Sequence, residues 1–173
     1  GFSHTHLRDV DILLVSPERT AVEIIRGDPG SSVSFSGLDF VFDDDAAGMI
    51  DYSAPASGSY QPSQVGAALS FPDPISPQPP LPLAGAYEQT MAAFDGEDPA
   101  GTWYLYVVDR AHLDFGSIES WSLEITLVNC TYITINDAPR VLTNPVKATP
   151  YPSILTVSGS GITNISDVGV SLV

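Results

Sequence analysis

Between Gly96 and Leu127 apolar and polar residues alternate with a period of two, a pattern that few structures other than β-sheet satisfy. Trp103, Leu105 and Val107 alternate with Tyr104, Tyr106 and Val108; further on, Trp121, Leu123, Ile125 and Leu127 alternate with Ser122, Glu124 and Thr126. Successive side chains of a strand point to opposite faces, so each run offers one aromatic, apolar face to a core. The two runs read as a hairpin whose connection, Asp109 to Gly116, is too long for a two-residue turn. Asp109 and Asp114 in that loop are two carboxylates able to share a cation.

The same alternation recurs along the chain. Near the start, Val10, Ile12 and Leu14 alternate with Asp11, Leu13 and Val15. Ala21 to Ile25 and Leu38 to Phe42 read as short strands, with a turn over 27–32. At the far end Ile154, Thr156 and Ser158 alternate with Leu155, Val157 and Gly159, and Val168, Val170 and Leu172 with Gly169, Ser171 and Val173. Between 46 and 85 prolines break any ladder, and Phe71 to Leu83 predicts an extended, polyproline-like surface segment. Tyr87, Met91 and Phe94 fall at spacings of four and three, which predicts one or two helical turns over an open end of a sandwich.

Charge narrows the function classes. The 173 residues carry a formal net charge of −15 with six basic residues, so nucleic acid and anionic membrane surfaces are disfavoured partners and cations are favoured. No apolar run approaches the ~20 residues that span a bilayer, and no signal peptide is present, so export is expected to depend on sequence outside this chain. The single cysteine, Cys130, rules out an internal disulfide framework and leaves an inert thiol or a bond between chains. No GxSxG elbow and no HExxH helix is found, and the chain is read as non-enzymatic.

Oxygen-rich ligand sets point to calcium. Asp43, Asp44 and Asp45 repel one another unless water or a divalent ion offsets the repulsion. Asp9 and Asp11 share a strand face, one of them a calcium ligand and the other solvated. The candidate Ca2+ ligands are therefore Asp9, Asp43, Asp44, Asp45, Asp109 and Asp114. His4 and His6 stand two apart, as a metal pair requires, but no third ligand lies near them in sequence; a core histidine beside an exposed one is the plainer reading. Asn129 and Asn164 begin N-glycosylation patterns. Tyr60, Tyr104 and Tyr106 suit either a carbohydrate-stacking platform or cross-strand packing.

The order GTWYLYVVD, a loop ending in Asp114-Phe115-Gly116, then SIESWSLEI resembles the end of the proprotein convertase P domain. GFSHTHLRDVDILLVSP at the start, Val41 to Ala46, and TPYPSILTVSG from Thr149 resemble further blocks of that module. The resemblance implies an all-β jelly-roll sandwich of antiparallel strands, extracellular and non-catalytic, of the kind that supports a subtilisin-like protease. In the resembling modules the PYPS stretch and the DVxVxL strand lead into GFSHT, whereas here Val168 to Val173 is at the far end; writing Val173 before Gly1 restores the order. The expected organisation is a main body over 1–127, a linker or edge strand over 128–149, and completing strands over 150–173. A circular permutant, a subunit donating strands to its neighbour and one repeat of a longer array all fit that order, and the latter two are favoured. They predict a filament or repetitive adhesin whose partners are copies of itself, polymerising through Tyr151, Ile154, Val157, Val168, Val170 and Leu172. The alternatives are an accessory P domain of a secreted protease and a carbohydrate-binding jelly roll.

Overall fold

A computed structural model describes residues 1–28, 33–66, 71, 87–128, 130–137, 140–143, 149, 151–158 and 164–173. The described elements are all β apart from two single 3-10 turns, Leu7–Asp9 and Met91–Phe94. The strands are β1 (Phe2–His4), β2 (Val10–Val15), β3 (Ala21–Arg26), β4 (Phe35–Leu38), β5 (Phe40–Phe42), β6 (Gly58–Tyr60) and β7 (Ser63–Gln64). They continue with β8 (Gly101–Asp109), β9 (Phe115–Ile118), β10 (Trp121–Leu127), β11 (Cys130–Asp137), β12 (Arg140–Thr143), β13 (Ser153–Val157) and β14 (Ile165–Leu172).

One five-stranded sheet runs β13-β8-β2-β3-β7, another β11-β10-β14-β5-β6, and a four-stranded sheet runs β12-β9-β1-β4. The last repeats, strand for strand, the order β11-β10-β14-β5. Asp39 alone separates β4 from β5, and Glu119-Ser120 separates β9 from β10. β14 and β1 are the matching central pair. Val173 exchanges backbone hydrogen bonds with Ser120 at 2.7 and 2.9 Å, and the Glu119 N–H donates to the Gly1 carbonyl at 3.3 Å. The pairings are antiparallel except β3 with β7 and β5 with β6.

One continuous core fills the interior. Val10, Ile12 and Leu14 of β2 and Trp103, Leu105 and Val107 of β8 form one wall. Trp121, Leu123 and Ile125 of β10 and Val168, Val170 and Leu172 of β14 belong to the same cluster from the opposing sheet. The indole N–H of Trp121 donates to Ser153 Oγ of β13 at 2.7 Å, a buried hydrogen bond joining the two five-stranded sheets. On the outer face of β2 and β8, Leu13, Val15, Tyr106 and Val108 form a second cluster with Ala21 and Phe71.

Several expectations change. β8 and β10 are not a hairpin: β8 pairs with β2 and β13, β10 with β11 and β14, and their apolar faces meet across the core. The connection contains β9, which pairs with β1 and carries the chain to the other sheet. The Leu38 to Phe42 strand is two strands broken at Asp39. Of the helical spacing, only the turn Met91–Phe94 is helical: Met91 and Phe94 join the main core, whereas Tyr87 packs on the outer cluster. The stretch 128–149 contributes β11 and β12, each at a sheet edge. The two C-terminal strands pair within this chain, β13 with β8 and β14 with β10 and β5. Continuation into a neighbouring module is not seen in these pairings.

Candidate metal centre

The antiparallel register of β1 and β9 sets His4 opposite Gly116 and draws the segment after β1 alongside Asp114. Gly116 is needed there: a Cβ at that position would lie 2.3 Å from both His4 Cδ2 and the Ser3 carbonyl oxygen. Thr5 locks the approach from both sides. Its backbone N–H donates to the Phe115 carbonyl at 3.0 Å, its Oγ1 accepts from the Phe115 N–H at 3.0 Å, and its hydroxyl donates to Asp114 Oδ1 at 2.8 Å.

Beneath this surface lies a buried relay. His4 Nδ1 lies 2.8 Å from the His6 carbonyl oxygen and 3.0 Å from the His6 backbone nitrogen, while its Nε2 lies 3.3 Å from Asp109 Oδ2. Asp109 Oδ1 in turn accepts from the Ala111 N–H at 3.1 Å. The His4 side chain is fully buried and Asp109 is 2% exposed, so this pair anchors the backbone that carries His6.

Above it three side chains converge. His6 Nδ1 lies 3.2 Å from Asp114 Oδ1 and 3.6 Å from Asp9 Oδ2, and one donor atom from each residue falls within 4.8 Å of the others. Among the described residues no other set of three His, Cys, Asp or Glu side chains converges this closely. Burial and then the charge of Asp114 push the Asp9 carboxyl above its ordinary range. For Asp114 burial acts in the same upward sense, but the Thr5 hydroxyl and His6 outweigh it and hold the carboxyl below its ordinary range. His6 is 44% exposed, which leaves one side of the cluster open to solvent.

The other predicted ligands lie elsewhere. Asp109 belongs to the histidine relay rather than to the converging set. Asp11 is neither solvated nor beside Asp9's partners: it is 2% exposed and held by Arg110, with Nε 2.6 Å from Oδ2 and Nη2 donating to Oδ1 at 2.7 Å. Burial pushes its carboxyl up to about 7 against the pull of that guanidinium. Asp43, Asp44 and Asp45 sit after β5, where backbone N–H groups take up two of them. Asp44 accepts from Met91 and Ala92 at 2.9 and 2.8 Å and so caps the 3-10 turn; Asp43 accepts from the Asp45 N–H at 2.7 Å. The run also acts on Asp167 of β14, whose carboxyl is raised by burial and then by the charge of Asp43.

His4 and His6 do not form a metal pair, because His4 turns into the relay. The residue that sequence reasoning discounted is His6, and its signal was there: His6 and Asp9 stand three apart, the one capping and the other ending a single 3-10 turn. Of the tyrosines, Tyr106 is fully buried and Tyr60 sits on a different sheet with its hydroxyl donating to the Ala56 carbonyl, so the three share no exposed platform. Asn164 is exposed in the left-handed region at φ 64°, whereas Asn129 lies outside the described residues. In the polymerisation set Val157, Val168, Val170 and Leu172 are buried and Tyr151 packs edge-on against Tyr106 at 5.2 Å. Ile154 instead faces outward at 39% exposure, and Leu155 takes the core position on β13.

The architecture is thus a β-sandwich of mixed sheets with a polar cluster where β1, the turn before β2 and the β8–β9 loop meet. Over residues 85–125, the stretch that builds β8, β9 and most of β10, the chain matches the family model of the proprotein convertase P-domain. No curated protein and no solved structure matches it. The P domain is a non-catalytic accessory module with a β-sandwich fold. No helix among the described residues is long and apolar enough to cross a membrane.

Proposed function

We propose that this chain is a non-catalytic, extracellular structural module that links copies of itself by exchanging its two C-terminal strands, and that a divalent cation at the loop carboxylates, calcium where oxygen ligands dominate, stiffens it. The observation that carries the reading is the placement of β13 and β14 in opposite sheets. β14 fills the slot between β10 and β5 and buries Ile165, Val168, Val170 and Leu172. Four such side chains stabilise the seated strand by roughly 6–12 kcal/mol at 1.5–3 kcal/mol each. A neighbour's copy of the same strands meets the same backbone ladder and the same pockets, so exchange between chains costs no contact and is governed by effective concentration. Because the pair reaches both sheets, an exchanged neighbour would be tied into both layers.

Native light scattering against the mass of the denatured, reduced chain tests this reading. Assemblies of many copies that dissolve to single chains support strand exchange. A species that stays a monomer at every concentration overturns it. Chelation is expected to raise protease sensitivity, and unchanged digestion under strong chelation would sink the cation part.

The P-domain match favours a second reading, an accessory domain beside a secreted subtilisin-like protease. A protease domain adjoining this stretch in the complete gene would support it, and tandem copies of the GFSHT and GTW blocks would support the structural module.

A further inference from the structure

The geometry points to a binding site for a first-row transition dication, of the zinc or cobalt type, built from His6 Nδ1, Asp9 and Asp114. This rests on the cation reading above and departs from it in the ion selected. Imidazole nitrogen is a good ligand for borderline ions and is uncommon around calcium, which takes six to eight oxygens. Here one nitrogen and two carboxylates converge from two separate parts of the chain, Asp114 lying 108 positions beyond His6. The spacing suits the ion. Ligand atoms about 2.0–2.2 Å from a tetrahedral centre lie roughly 3.3–3.6 Å from one another, close to the 3.2 and 3.6 Å from His6 Nδ1 to the two carboxylates.

Supporting partners are in place. The Thr5 hydroxyl fixes Asp114, the turn's backbone bond from the Asp9 N–H to the His6 carbonyl at 3.1 Å fixes the two residues to each other, and the His4–Asp109 pair anchors the backbone N–H of His6. Such outer partners orient ligands in metal sites. Two carboxylates and one neutral imidazole leave a net charge of −2 on the ligand set, which a dication offsets. Solvent reaches the open side at His6, so the remaining coordination positions are free for water or for a ligand from another molecule.

Titration of the full chain with Zn2+, Co2+ and Ca2+ by calorimetry, with Co2+ also followed by its visible d–d absorption, decides the matter. The chain is expected to bind one Zn2+ or Co2+, tighter than Ca2+. His6→Ala is expected to weaken Zn2+ by at least the ~10–100-fold typical of lost supporting partners and leave Ca2+ binding within about twofold. Asp114→Asn is expected to weaken both ions. His6 is on the surface, so its variant keeps the native circular dichroism, and Asp114→Asn gives an independent check on the site.

If Ca2+ binds and His6→Ala leaves the affinity for every ion unchanged, the transition-ion inference is overturned while the cation reading stands. If none of the three ions binds, His6 is only an ion-pair partner of the two carboxylates and both readings fall.

Discussion

Two groups of acids in this chain, both read from the sequence as candidate cation ligands, differ in what their carboxylates do. Asp43, Asp44 and Asp45 are consecutive, and Asp43 and Asp44 are taken up by backbone N–H groups. Asp9 and Asp114 are far apart in the chain, yet the β1–β9 register brings them together with an imidazole. Consecutive residues diverge from the backbone, so a run of acids does not by itself converge on a point. Convergence needs a fold that returns a distant segment, and here Thr5 and Gly116 secure that return.

The sharpest way to break the contrast is Asp44→Ala. Two hydrogen bonds to a charged acceptor are lost and the 3-10 turn under Phe94 is uncapped, which should destabilise the module by about 3 kcal/mol in urea unfolding. A change below about 0.5 kcal/mol would show that the run is not a structural cap. Next in size is Zn2+, which at about 100 times its Kd should stabilise the chain by about 2.7 kcal/mol. That gain should vanish in Asp114→Asn and persist in Asp45→Asn; a gain lost in the latter would move the ion to the acidic run.

A smaller effect separates the regions by pH. Asp167 is raised above the ordinary 3.8, so its native form holds a proton that the unfolded chain releases. Its contribution to stability is full below 3.8 and is lost as pH rises through the raised value. Asp43→Asn removes the second cause of that shift and should flatten the decline, measured as the urea midpoint against pH. In the His6 cluster the raised Asp9 behaves in the same way, but the lowered Asp114 contributes stability that is present above 3.8 and lost as pH falls, so the two oppose each other. The smallest effect belongs to Asp45→Asn, an exposed side chain whose loss should change stability by less than about 0.5 kcal/mol.

Strand faces were readable from residues alone. Val10, Ile12 and Leu14 line the core as their spacing predicts, and so do the odd-numbered residues from Trp103 to Val107. Pairing was not readable, because alternation fixes a strand's faces and says nothing of its neighbour. β9 is only four residues, Phe-Gly-Ser-Ile, with no apolar alternation, so the segment that sends β8 and β10 to different sheets passed for a loop. β13 shows a related limit: Ile154 and Leu155 are both apolar, and only the register against β8 decides that Leu155 faces inward. At the cluster, Asp9 and Asp114 stood out as candidates by their charge. His6 did not, since its third partner lies 108 positions away, and Asp11 was misjudged because Arg110 reaches it only through the β2–β8 pairing.

The hydrogen bond from the Trp121 indole to Ser153 makes the tryptophan a built-in optical gauge. Trp121 is 1% exposed and bonded to β13, so its emission should be blue-shifted while that strand is seated and move to the red when the strand departs and water enters. The chain has one other tryptophan, Trp103, whose indole is bonded to the Pro99 carbonyl on its own side of the sandwich, so a Trp103→Phe background isolates the signal. Strand release can then be timed in solution without a label.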